Sequence, residues 1–235
     1  MTDSEFIQRY AGQLNDQQRE AVLKTDGPVL LLAVPGSGKT TVLVTRLGYM
    51  IYCCGIAPEN ILTLTYTVAA THDMEDRFRK LFGEDISDRL EFRTINGICA
   101  KVIAHYGRLI GKNAFELVSD EKQISRILMD VLIKELDEYP TESDVRAART
   151  LITYCKNMML SDDDIEKTGK KEAIPLLQIY KEYNAYLKEN HLMDYDDQMV
   201  YAYKMLKGSA DLLDHYRKKI DRRAGDRLQF VTLIP

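Results

Sequence analysis

The feature that most narrows what this chain can fold into is a short loop, Pro35-Gly36-Ser37-Gly38, set between two apolar segments of different period. Before it, PVLLLAV (28–34) is a continuous apolar run of strand length, the pattern of a parallel strand covered on both faces. After it, KTTVLVTRLGYMIY carries apolar residues on nearly every side, as a helix packed into such a sheet does. Strand, glycine loop and helix then recur in part. ILTLTYT (61–67) reads as a strand, the stretch after it places Met74, Phe78, Leu81 and Phe82 at helical spacing, and LEFRT (90–94) reads as a third strand. Alternation of this kind predicts a parallel α/β sheet with crossover helices.

Beyond about residue 95 the alternation stops, and no further strand is expected before the last few residues. From Ser119 to Asp137, residues Ile124, Ile127, Leu128, Val131, Leu132 and Leu136 form one stripe, with Ser119 or Asp120 as N-cap. Thr141 and Asp144 give the T-x-x-D start of another helix, with Val145, Ala148, Ile152, Cys155 and Met159 on its apolar side. Pro175 suits the first turn of the next, through Tyr180, Tyr183 and Leu187. The expectation is an all-helical segment inside or beside an α/β core.

Charge sets a limit on partners. A net charge of −4 gives no bulk attraction to phosphate, so any nucleic-acid contact must come from a local surface. The start MTDSEF is acidic with no apolar run behind it, and nothing approaches the roughly 18 apolar residues of a membrane helix. This predicts a soluble, cytoplasmic protein with no membrane partner. Cys53, Cys54, Cys99 and Cys155 form no C-x-x-C pair and read as buried free thiols.

The loop itself points to chemistry. AVPGSGKT (33–40) follows the phosphate-loop pattern GxxxxGK[ST], except that Ala33 stands at the first glycine. Gly36 and Gly38 permit positive φ and let backbone N–H groups turn toward a polyphosphate, at the positive end of the following helix. Lys39 would reach the β- and γ-phosphates and Thr40 would ligate Mg²⁺, which makes ATP and Mg²⁺ the expected cofactors. The nucleotide-holding stretch is Ala33, Val34, Pro35, Gly36, Ser37, Gly38, Lys39, Thr40 and Thr41, with Lys39 and Thr40 closest to the reaction.

With the loop placed, its neighbours resemble those of superfamily 1 DNA helicases of the UvrD/Rep/PcrA type. LNDQQREAV (14–22) resembles the stretch by which that family recognises adenine, with Gln18 at the family's glutamine; an amide can bond both edges of the base. TYTVAATHDM (65–74) is similar to the family's TFTNKAAxEM segment on the single-stranded DNA path, with Tyr66 at the aromatic position and Val68 and Ala69 replacing Asn and Lys. FRTINGICAKV (92–102) resembles the TFHG segment, keeping Thr94 and placing Asn96 where the family has histidine. An N-cap role for Asn96 remains open beside DNA contact. MDYDDQM (193–199) resembles VDFxDLL, where the chain returns to the core, and DLLDHYRKK (211–219) resembles the helix before the second catalytic strand.

The resemblance implies an incomplete RecA-like motor domain of the phosphate-loop NTPase class, α/β with a parallel sheet, at 1–109 and 191–235. A helical, 1B-like subdomain is then inserted at 110–190. It implies movement along single-stranded DNA and duplex opening coupled to ATP hydrolysis. DNA would meet Thr65, Tyr66, Thr67, Thr94 and Asn96, and the partners would be single-stranded DNA, single-strand/duplex junctions and a second motor domain. The family continues into a strand ending in Asp-Glu, whereas this chain reads IDRRAGDRLQFVTLIP. No acidic pair follows an apolar strand there, and none precedes Asp196-Asp197 either. The chain is therefore expected to be partial or altered after about residue 219 and to hydrolyse ATP poorly alone. Two other readings stay open: a non-catalytic nucleotide- or DNA-binding module, and another phosphate-loop enzyme such as a small-molecule kinase.

Overall fold

The computed structural model describes residues 1–235 except 28, 35, 137, 138, 222–229 and 233–235, and of residues 219–221 and 230–232 only the backbone. The chain forms two compact units, one of residues 1–98 and 210–235, the other of residues 99–209. In the first, helices α1 (Asp3–Tyr10), α2 (Asp16–Leu23) and α3 (Lys39–Tyr52) precede strand β1 (Leu62–Thr65). Helix α4 (Val68–Phe82), the short α5 (Glu84–Ser87) and strand β2 (Glu91–Thr94) follow. Helix α6 (Ile95–Ile110) leads into the second unit, which holds strand β3 (Glu116–Leu117) and helices α7 (Glu121–Glu135) and α8 (Glu142–Asn157). Helices α9 (Asp162–Lys171) and α10 (Leu176–Glu189), strand β4 (Leu192–Met193) and helix α11 (Tyr195–Gly208) complete it. Helix α12 (Ala210–Asp221) and strand β5 (Phe230–Thr232) belong to the first unit again. The protein is thus a predominantly helical α/β chain with short parallel sheets.

The sheet of the first unit runs β2-β1-β5, all parallel. Leu62 sits opposite Glu91 and Thr65 opposite Thr94, so β1 and β2 end in register. The expected strand at 28–34 does not form: residues 29–34 are irregular, and Leu30, Leu32 and Val34 are 75%, 83% and 72% exposed. The reason lies in pairing. A strand exists only by its ladder, and among the described residues the stretch 29–34 pairs with none of the strands β2, β1 and β5. Leu31 alone among the leucines of this run packs against the core.

That core is aromatic. Phe6, Phe78 and Phe82 are buried, with Tyr10 and Phe82 centroids 4.8 Å apart and Tyr49 edge-on to Phe6 at 5.4 Å. Rings of this size contribute about 1.5–3 kcal/mol each on full burial. Helix α3 meets α4 where Gly48 faces the Phe82 ring, and a Cβ there would fall inside that ring's contact radius. Met74, Phe78 and Phe82 are buried at the expected spacing, whereas Leu81 is 39% exposed.

In the second unit the stripe Ile124, Ile127, Leu128, Val131 and Leu132 packs with Val145, Ala148, Ile152, Ile179, Tyr183 and Leu187. Asp120 caps α7, and Thr141 and Asp144 form a reciprocal capping box on α8. Pro175 stands at the cap of α10, one residue before its first turn. Met159 departs from the expected apolar side: α8 ends at Asn157, and Met159 is half exposed at φ 48°. Strand β4, only two residues long, does precede the Asp194–Asp197 run, where the sequence showed none; its partner β3, 76 residues earlier in chain order, creates it. Asp194 then caps α11. Lys156 of α8 donates to Asp194 at 2.7 Å and pairs with Asp197 at 2.8 Å, all three being buried, and Tyr183 donates its hydroxyl to Asp194 at 3.0 Å.

The cysteines correct a further expectation. All four are free thiols, but only Cys155 is buried and Cys54 is exposed. Among the described residues no helix is long and apolar enough to cross a membrane.

Candidate functional site

The glycine loop turns on two residues in the left-handed region, Gly36 at φ 79° and Gly38 at φ 81°. Such backbone costs a residue with a Cβ about 1–2 kcal/mol, which explains why glycine stands at both. Gly38 caps α3 with no side-chain hydrogen bond, and the first turn carries no acidic residue. The orphan N–H groups of that turn and the positive helix end are therefore not neutralised from within the helix. Lys39 and Thr40 begin the helix, half-buried, and among the described residues no carboxylate pairs with Lys39. A Cβ on Gly36 would meet nothing within 4 Å, so the bend opens to space rather than to protein. The donor set is one that fits a polyphosphate: backbone N–H groups, an ammonium and a hydroxyl.

Ala33 is half-buried, Val34 and Thr41 are exposed, and Pro35 lies outside the described residues. The carbonyl of Val34 accepts from both the backbone N–H and the hydroxyl of Ser37, which closes the turn. Gln18 approaches from α2. Its Nε2 donates to the Ser37 carbonyl at 3.0 Å, while its Oε1 accepts from the Asn15 N–H at 3.0 Å. Asn15 returns a bond to the Gln18 N–H, a capping box spelled N-x-x-Q that the sequence carried in the open. At the other end of α2, Arg46 of α3 donates to the carbonyls of Ala21 and Lys24. Burial lowers the Arg46 pKa from its ordinary range, and these two carbonyls compensate the charge. No sequence signal marked Arg46, because its partners are main-chain atoms.

The residues expected along the DNA path gather at the carboxyl ends of two adjacent parallel strands, because β1 and β2 end in register. Tyr66 follows β1 and is 60% exposed, so it is no core residue. Thr67 caps α4 by accepting from Ala70 N–H at 3.1 Å. Thr65 is fully buried, its hydroxyl bonded to Thr71 Oγ1 at 2.5 Å and to the Thr67 carbonyl at 3.1 Å. Thr94 accepts from the Gly97 N–H at 3.0 Å and so performs the cap that was open for Asn96. The Oδ1 of Asn96 is buried with no hydrogen-bond partner among the described residues. Asp226 and its neighbours lie outside the described residues.

A model of the UvrD/REP helicase N-terminal domain matches residues 14–226 of this chain. The chain belongs to the UvrD/Rep helicase family. Among its relatives in that family, the ATP-dependent DNA helicase PcrA of Leuconostoc citreum is 28% identical over 226 residues, 95% of this chain and 30% of the relative. PcrA of Bacillus subtilis is 30% identical over 209 residues, 88% of this chain and 28% of that protein. The helicase Rep of Buchnera aphidicola is 28% identical over 222 residues, 94% and 32% of the two chains. The chain spans about a third of the length of these curated UvrD/Rep relatives.

Proposed function

We propose that this chain is the ATP-binding portion of a helicase that moves along single-stranded DNA and opens duplex. The observation that carries the reading is the loop: two glycines at positive φ deliver Lys39 and Thr40 to a helix N-terminus with no side-chain cap and no acidic residue in its first turn. In the bound state ATP supplies the phosphoryl group and Mg²⁺ the charge neutralisation. Lys39 would hold the β- and γ-phosphates, Thr40 the metal, the N–H groups of Gly36 to Thr41 the remaining oxygens, and Gln18 the adenine edge. On this reading the incomplete phosphate-loop motor core is residues 1–109 and 191–235 and the 1B-like insertion residues 110–190, whereas the compact units divide at 98/99 and 209/210. Single-stranded DNA would cross the strand ends, with the exposed Tyr66 as a stacking platform and Thr67, Thr94 and Asn96 as polar contacts. Thr65, turned inward, would position Thr67 instead of touching the strand. Partners on this reading are single-stranded DNA, junctions and a second motor domain, in the cytoplasm.

The tail has no Asp-Glu after an apolar strand, so hydrolysis by this chain stays below about 1 s⁻¹ with DNA present. Titration calorimetry with Mg-ATP tests the site. Lys39→Ala should weaken binding at least about tenfold, because an ammonium pairing with phosphate is lost. Unchanged affinity would remove the loop from the site, and turnover well above that limit would show that another carboxylate serves.

A further inference from the structure

The amide of Gln18 is committed before any base arrives. Its Nε2 holds the Ser37 carbonyl at 3.0 Å, between the two positive-φ glycines of the loop, and a Cβ on Gly38 would come within 3.2 Å of that same nitrogen. Its Oε1 is fixed by the Asn15 N–H, so the side chain is anchored to the start of α2. Helix α2 is in turn held against α3 by Arg46 at its other end. The loop thus sits inside a closed circuit: α2 to α3 through Arg46, α3 back to Gly38, and Ser37 to α2 through Gln18.

We infer that Gln18 is a positioning residue for the phosphate loop itself, setting the Ser37–Gly38 backbone for polyphosphate whether or not a base is present. The inference rests on the nucleotide-binding reading and deepens it. An amide nitrogen has a second N–H and an amide oxygen a second lone pair, so adenine contact and loop support are compatible in one side chain. They differ in what they predict. A base-reading residue affects nucleotides only, whereas a loop-holding residue affects any ligand of the loop, including one with no base.

The test measures the affinities of Mg-ATP and Mg-tripolyphosphate by calorimetry for the wild type, Gln18→Glu, Gln18→Met and Lys39→Ala. Gln18→Glu keeps the acceptor for Asn15 N–H, removes the donor to Ser37 and adds a negative charge; Gln18→Met removes both the donor and the Asn15 acceptor without adding charge. Both Gln18 variants should weaken tripolyphosphate by about three- to tenfold, the range of one hydrogen bond, and ATP by at least as much. Ligand-free Gln18→Glu should stay folded, with a melting temperature lowered by no more than the loss of one hydrogen bond allows. Tripolyphosphate affinity unchanged while ATP falls would confine Gln18 to the base and overturn the proposal. So would a loss seen in Gln18→Glu alone, which is charge repulsion, or a loss accompanied by general unfolding of the ligand-free variant. Wild-type binding of ATP without tripolyphosphate would overturn it as well. Binding of neither ligand, or binding that Lys39→Ala leaves unmoved, is a different failure: it removes the nucleotide site and the positioning role with it.

Discussion

At the scale of single residues, the described part of the protein buries a lysine between two aspartates. Lys156, Asp194 and Asp197 are all buried, which leaves one more negative than positive group in a poorly solvating place. The two carboxylates respond oppositely. Burial raises Asp194, but the Lys156 charge and the bonds from Lys156, the Asp197 N–H and Tyr183 outweigh it and hold the group below its ordinary 3.8. Asp197 is pushed above 3.8 by burial and by the Asp194 charge, against the pull of Lys156. The raised group contributes stability that is complete below its unfolded value and is lost as pH rises through its folded value. Asp194 contributes above 3.8 and loses that as pH falls through its depressed value. The wild type should therefore lose stability relative to Asp197→Asn as pH rises from acid toward neutral, in urea unfolding series at several pH values; a flat difference refutes the assignment. Lys156→Met should cost about 3–5 kcal/mol at neutral pH, partly recovered in acid as the stranded carboxylates protonate.

At the scale of elements, the contact of α3 with α4 depends on one missing methyl group. Gly48→Ala must displace the Phe82 ring, which is enclosed by Phe6, Tyr10, Tyr52 and Phe78. The expected loss is about 1–3 kcal/mol in chemical unfolding, and no loss would mean that the ring has room to move. The same helix shows what sequence alone discloses. Its span from Lys39 to Tyr52 was legible because glycine, then an apolar surface on all sides, marks a buried helix after a turn. The T-x-x-D box at Thr141 and the stripe from Ile124 to Leu132 were legible for the same local reason. Three features were not. The run 28–34 has strand composition, yet whether 29–34 becomes a strand depends on pairing with a neighbouring strand, a property of the whole sheet. The two-residue strand β4 exists only through β3, and the Lys156 cluster joins residues about forty positions apart. At the candidate site, the position of Lys39 and Thr40 at the start of α3 followed from the motif, while the Gln18 bond to Ser37 and the Arg46 bonds to α2 involve main-chain acceptors that no pattern of side chains encodes.

At the scale of the whole molecule, an acidic surface must host any interaction with DNA locally. With a net charge of −4 and only uncharged groups expected at the strand ends, few phosphates are neutralised. The plot of log affinity against log salt for single-stranded DNA should therefore be shallower than about −2, as read by fluorescence anisotropy; a steep slope would require a basic track elsewhere. Stacking should carry much of what remains. Tyr66→Ala should weaken an oligonucleotide by about 1–3 kcal/mol and Tyr66→Phe should do little, since the π-face survives. Because Tyr66 is 60% exposed, neither should lower stability by more than about 0.5 kcal/mol. That exposure has an optical side. The chain has fourteen tyrosines and no tryptophan, so Tyr66→Trp would install the sole indole of these 235 residues on the surface where bases are expected. Excited at a wavelength tyrosine does not absorb, it would emit with the red-shifted spectrum of a hydrated indole and be quenched by a stacked base. Occupancy of one strand end could then be followed in real time, without a label on the DNA.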